Sequence, residues 1–122
     1  MKALVMIAHG SRREEANAEF IALVGQVKTA VGSKCDFVEH CFLEIASPSL
    51  TEAIEHMIEN GATYISIFPY FLNSGNHVLR DLPEIVDRLT RQYPDCTITL
   101  LPYFGTFKGI AELISRHIPG NT

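Results

Sequence analysis

The sequence predicts an α/β fold: a four-stranded parallel sheet in the order 2-1-3-4, flanked by helices on both faces. Two observations carry the prediction. Four short apolar runs, "ALVMIA" (3–8), "DFVEHCFL" (36–43), "TYISIF" (63–68) and "CTITLL" (96–101), are of strand length and rich in Val, Ile, Phe or Thr. Each is followed by a segment with helical periodicity, and strands alternating with helices build a parallel sheet through right-handed crossovers. A chain of 122 residues has the size of one domain, taken as residues 1–122. For that size the flavodoxin-like strand order 2-1-3-4 is expected.

The first helix is read from Ala16, Phe20, Leu23, Val24, Val27 and Val31, which share one helical face, with Gly32 as its stop. The second has Leu50, Ala53, Ile54, Met57 and Ile58 as its stripe. Ser47 is expected as its N-cap, Pro48 at its first helical position and Gly61 at its close. Leu82, Ile85, Val86, Leu89 and Tyr93 define the third, with Pro83 in the first turn and Pro94 barring continuation. Phe107, Ile110, Leu113 and Ile114 define the fourth, followed by a frayed "PGNT" tail.

Composition narrows the function. A chain that is 47% hydrophobic and 20% charged is ordinary for a globular protein. Its net charge of −4 argues against general nucleic-acid binding, while leaving room for a local basic pocket. Cys35, Cys41 and Cys96 show neither C-x-x-C spacing nor a zinc-finger pattern, and read as idle thiols in a reducing compartment. No run approaches the ~20 apolar residues of a membrane span, and the N-terminal run is short for a signal peptide. A cytoplasmic protein with no membrane and no nucleic-acid partner is expected.

In this strand order the loops after strands 1 and 3 flank the switch point, where open α/β sheets bind ligands. Strand 1 delivers "HGSR" (9–12), strand 2 "LEIAS" (43–47), strand 3 "PYFLNSGNHVLRDLP" (69–83) and strand 4 "PYFGTF" (102–107). Strand 1 lies between strands 2 and 3, with neighbours ~4.8 Å away on each side. His9, Glu44 and His77 can thus converge although they are distant in sequence. Two imidazoles and a carboxylate suit a divalent metal such as Co²⁺, Fe²⁺, Ni²⁺ or Zn²⁺, and serve equally as proton acceptors near neutral pH. Singly, each residue has a plainer reading: His9 as a hydrogen-bonded loop histidine, His77 as a helix-start residue and Glu44 as a solvated charge.

The surroundings suggest an anionic ligand with a flat apolar body. Ser11, Arg12, Arg13 and Arg80 flank the site, with Asn73, Ser74 and Asn76 nearby, and arginine forks suit carboxylates. Tyr70, Phe71 and Leu72 offer an apolar wall, although core packing is the commoner use of such residues. His40, His56 and His117 read as structural or solvated, with His40 the nearest of them to the pocket. Other motifs are excluded. "AHGS" has Ala8 where the R-H-G of histidine phosphatases has arginine, and Ser11 is not in a G-x-S-x-G elbow. Neither G-x-G-x-x-G nor a P-loop occurs.

"AHGSRREEAN" (8–17), "FLEIASPSLTEAI" (42–54) and "FPYFLNSGNHVLRDLPEI" (68–85) closely resemble the sirohydrochlorin chelatases. The resemblance is to the short, single-domain CbiX type of cobaltochelatase, related to the SirB-type ferrochelatases, and its motifs fall in order across most of the chain. It implies insertion of a divalent metal into sirohydrochlorin, a polycarboxylated tetrapyrrole, without ATP and without a permanently bound cofactor. It implies Co²⁺ in cobalamin synthesis, or Fe²⁺ in siroheme synthesis by a related enzyme. A single-domain chain of this kind is expected to complete its cleft as a homodimer. His9 matches the histidine of the "HGS" motif, His77 that of "G-x-H", and Glu44 the glutamate of "FLE"; no iron–sulfur centre is implied. His9 and His77 would hold the metal and accept pyrrole protons, with Glu44 orienting a histidine or relaying a proton. Ferrochelatase, nickelochelatase and a non-catalytic metal or tetrapyrrole carrier stand as alternatives.

Overall fold

The computed structural model describes residues 1–75 and 80–120. Its central strand β1 (Lys2–Ala8) is an uninterrupted apolar run because it is covered on both faces, as parallel strands are. It pairs in parallel with β2 (Phe37–Phe42) on one side and β3 (Tyr64–Pro69) on the other, and β3 pairs with β4 (Thr97–Leu100). The order is 2-1-3-4, as the alternation of elements predicts. The register sets Ile7 beside Cys41 and Pro69, so the carboxyl ends of β1, β2 and β3 finish level with one another.

The period-two alternation of side chains divides the core between the two faces. Leu4 and Met6 meet Phe20 and Val24 of α1 (Glu14–Val31), together with Val38 and Phe42. Ala3, Val5 and Ile7 meet α2 (Leu50–Glu59) through Leu50, Ala53, Ile54 and Met57, and α3 (Leu82–Gln92) through Leu82 and Leu89. Cys41 belongs to this second core; it is fully buried, and burial pushes its thiol up to about 12. A thiol so disfavoured as thiolate is a packing group.

The start of α2 departs from the sequence expectation. Ser49, two residues later than Ser47, is the N-cap, and Pro48 precedes the helix instead of opening it. Ser49 has the glutamate that Ser47 lacks three residues on: Glu52 N–H donates to Ser49 Oγ and Ser49 N–H donates to Glu52 Oε1, a capping box satisfying two orphan donors. Pro48 still belongs to the strand edge, its carbonyl accepting the Phe42 N–H at 2.9 Å. The helix closes as expected at Gly61, where φ is 100°; the Gly61 and Ala62 N–H groups reach back to Ile58 and Met57 in a Schellman pair.

The capping box makes a pH-dependent contribution. The Ser49 backbone N–H, then its hydroxyl, pull the Glu52 carboxyl below its ordinary value of 4.5. A depressed folded-state value means that stability is present above 4.5 and is lost as pH falls through the lowered value. Ser49→Ala is expected to destabilise by about 1 kcal/mol. Urea denaturation of Glu52→Gln across the acid range should show a flatter dependence of stability on pH than the wild type. Parallel curves would show that the Glu52 carboxylate adds no pH dependence.

The fourth helix, α4 (Ile110–Arg116), is shorter than its apolar stripe suggests. Phe107 lies before it, packed against Phe68 with ring centres 5.2 Å apart. No residue of α4 is buried; Leu113 and Ile114 are exposed. No described helix is long and apolar enough to cross a membrane.

Candidate functional site

Strand pairing continues past the carboxyl ends of the sheet, and this assembles the site. Leu43 N–H donates to the Ala8 carbonyl at 2.8 Å and Glu44 N–H to the His9 carbonyl at 3.0 Å, so the backbone brings Glu44 beside His9. On the other side Tyr70 N–H donates to the Ile7 carbonyl at 2.8 Å, seating the β3 loop against the same strand end. The His9 ring stands 4.5 Å from that of Phe71, tilted at 55°.

Gly10 is required at the turn that follows. Its φ is 92°, and a Cβ there would lie 1.9 Å from the Glu44 carbonyl oxygen. That same carbonyl accepts the Ala46 N–H at 2.8 Å across Ile45, whose φ of 74° is one that β-branched residues avoid. The backbone of Glu44 is therefore fixed from both sides, while its side chain is exposed.

Ser11 has a local task. Its N–H donates to Asn17 Oδ1 at 2.9 Å, Asn17 Nδ2 donates to its carbonyl at 2.8 Å, and its Oγ accepts the Arg13 N–H at 3.1 Å. Asn17, on the first turns of α1, thus clamps the loop that carries His9. Its position beside the apolar stripe of the helix gave no sign of this in the sequence.

An open pocket of about 490 Å³ lies at the carboxyl ends of β1, β3 and β4, within the usual size of a small-molecule site. His9 lines it with Tyr70, Asn73 and Ser74, as does Phe71, whose body is buried in the core. Leu72, Gly75 and Phe104 complete the lining. Phe104, from the β4 loop, was absent from the sequence-based site. Its loop sequence "PYFGTF" offers none of the histidine, charged or amide side chains that mark the loops after strands 1 and 3.

Ser11, Glu44, Arg12, Arg13 and Arg80 are not in this lining. Arg12 and Arg80 are exposed, and the Arg13 guanidinium turns to Glu15, 3.9 Å away. His77 and Asn76 lie outside the described residues. Among the described residues no three His, Cys, Asp or Glu side chains are grouped closely enough to hold a metal. His40 lies on the α1 face, with its ring 5.8 Å from that of Phe42. His56 contacts Asn60, and His117 Nδ1 contacts the Leu113 carbonyl, both local helix contacts.

Comparison with known proteins places this architecture. Over 118 residues the chain is 31% identical to the sirohydrochlorin ferrochelatase of Priestia megaterium, an alignment covering 97% of this chain and 44% of that protein. It is 38% identical over 88 residues to the sirohydrochlorin cobaltochelatase of Methanococcus aeolicus, covering 70% of this chain and 59% of the other. The sirohydrochlorin chelatase SirB from Bacillus subtilis subspecies spizizenii, solved in complex with cobalt, superposes with a TM-score of 0.81 at 27% identity. That match covers 94% of this chain and 48% of SirB. The chain therefore spans about half the length of the ferrochelatase and SirB relatives. The CbiX family model matches residues 3–120, and the chain belongs to the CbiX family.

Proposed function

We propose that this protein is a sirohydrochlorin chelatase that inserts Co²⁺ into the macrocycle without ATP, as in cobalamin synthesis. The observation that carries the reading is the pocket at the β1–β3 switch point, whose lining combines His9, an aromatic wall and the polar pair Asn73 and Ser74. A planar, carboxylate-bearing macrocycle needs those three kinds of surface together. Relatives named for iron and for cobalt both match the chain, and imidazole ligands separate these metals weakly. Insertion of Fe²⁺, in siroheme synthesis, is accordingly the second reading.

In the proposed reaction the hydrated metal sheds water, enters the ring and displaces two pyrrole protons. His9 and His77 hold the metal on one face and accept those protons, and the exposed Glu44 carboxylate passes a proton to solvent. Metal binding needs neutral imidazoles, so ligation and proton release are coupled. Ser11, Arg12, Arg13, Asn76 and Arg80 are assigned to the rim that receives the peripheral carboxylates, where arginine recognises anions in pairs of bonds. The pocket is open to solvent, and Leu72, Leu113 and Ile114 leave apolar surface exposed. A second copy of the chain, packed in a homodimer, is assigned to close it.

The test is anaerobic. Sirohydrochlorin is mixed with the protein and with Co²⁺, Fe²⁺ or Ni²⁺ in turn, and the tetrapyrrole absorption is followed against a metal-only blank. Multiple turnovers above the blank, fastest with Co²⁺, are expected, with sedimentation velocity giving a dimer. A spectral shift that saturates at one ligand per site, without turnover, would make the protein a carrier. Fastest conversion with Fe²⁺ would transfer the assignment to siroheme synthesis.

A further inference from the structure

Three aromatic rings from three elements stack in succession, and the last two line the pocket with His9. Phe20, buried on α1, stacks on Tyr70 at 5.5 Å and 29°. Tyr70 stacks in turn on Phe104 at 5.7 Å and 21°. Phe104 ends the row, half-buried, and forms part of the pocket wall. Its other neighbours are Phe68, at 6.0 Å and 45°, and Phe107, at 5.9 Å and 65°. Two chain features fix it further. It opens a 3-10 turn (Phe104–Thr106) closed by the Thr106 N–H on the Tyr103 carbonyl at 3.0 Å. The next residue, Gly105, docks on the β3 loop: its N–H donates to the Phe71 carbonyl at 2.9 Å, and a Cβ there would lie 1.8 Å from the Leu72 carbonyl oxygen. Glycine is needed by this backbone approach, which locks the β4 loop to the segment carrying Leu72, Asn73 and Ser74.

Core packing alone does not require this arrangement. An aromatic ring that only filled the core would be buried, as Phe42 is. Phe104 is instead braced by aromatic neighbours, half-buried and part of the pocket lining, with a glycine clasp holding its loop in register. A preorganised flat face of this kind costs little entropy when a planar ligand stacks on it.

We propose that Phe104 is a substrate-specificity residue, the stacking surface against which the face of the macrocycle is seated. The inference rests on the chelatase reading and adds to it a residue from the fourth strand loop. It gives Phe104 no part in holding the metal or moving protons.

Metal-free binding tests it. Sirohydrochlorin is titrated into the wild type and into Phe104→Leu and Phe104→Tyr, following the tetrapyrrole absorption, and thermal melting verifies that each variant is folded. Leucine keeps apolar contact with Phe68 and Phe107 but has no flat face; tyrosine keeps the face. Phe104→Leu is expected to weaken binding roughly tenfold, the scale of one lost aromatic stacking partner. Phe104→Tyr should bind within about threefold of the wild type. In turnover the leucine variant should show a raised KM for sirohydrochlorin with kcat and the KM for Co²⁺ little changed, a pattern that a general loss of fold does not give. Wild-type affinity in Phe104→Leu, or equal losses in both variants, overturns the role of Phe104 and leaves the chelatase reading standing. Failure of the wild type to bind sirohydrochlorin overturns both.

Discussion

His9→Ala is expected to lower metal insertion by about a hundredfold or more while leaving the fold in place. The size of the effect follows from the proposed work of the side chain. Positioned proton acceptors contribute roughly 10²–10⁴ to rate, and the same imidazole is assigned to the incoming metal. The fold should survive because the backbone makes several of the contacts that seat this loop. The His9 carbonyl receives the Glu44 N–H, Asn17 holds Ser11 at both polar groups of its backbone, and none of these three bonds involves the imidazole. Loss of the ring exposes one side of Phe71, a modest cost at an already open pocket. Steady-state rates with the preferred metal should therefore show kcat reduced and the KM for the metal raised, with the urea midpoint only slightly lowered and circular dichroism unchanged. His77→Ala is expected to act alike on the sequence match. Retention of wild-type turnover in the His9 variant would remove it from the chemistry.

The sheet was legible because its information is local: each strand is a short apolar run, each helix a periodic stripe, and alternation of the two admits few topologies. The second helix start was misjudged because two serines and a proline compete within three residues, and only the glutamate three positions beyond Ser49 decides between them. Phe107 was counted into the fourth helix on spacing alone, whereas its partner is Phe68 in another element. In the site, residues of the loops after strands 1 and 3 announced themselves, the apolar wall of Tyr70, Phe71 and Leu72 among them, and residues from other elements did not. His9, Asn73 and Ser74 were singled out and line the pocket. Phe104 resembles any core aromatic until its stacking on Tyr70 is seen, and Asn17 resembles any exposed helix position until its bonds to Ser11 are seen. The arginines show the converse. Adjacency in sequence put Arg13 near the site, but nothing local said that its guanidinium would turn towards Glu15.

Two glycine-to-alanine substitutions, one in the loop after β1 and one within α1, should have opposite signs, and the contrast isolates the demand of the site on the backbone. Gly25 lies in the interior of α1, exposed, with nothing within 4 Å of a built Cβ. Alanine there is expected to stabilise by about 0.5–1 kcal/mol, because glycine loses more backbone freedom on folding. Gly10→Ala faces a positive φ, which costs an L-residue about 1–2 kcal/mol. It also meets the Glu44 carbonyl at 1.9 Å, a backbone atom already held by the turn across Ile45 and unable to rotate away. The loops must separate, and the bond from the Glu44 N–H to the His9 carbonyl stretches with them. A total loss of about 2–4 kcal/mol is expected, at the upper end of ordinary single substitutions. Displacement of His9 by even about 1 Å should cost a further hundredfold or so in turnover. Urea denaturation of the two variants beside the wild type measures the first effect, and the chelation assay on the folded fraction measures the second. If Gly10→Ala were as stable as Gly25→Ala, the close approach of the first two strand loops would not be a constraint in solution. If it were unstable yet fully active, His9 would hold its place without the backbone bond that joins it to Glu44.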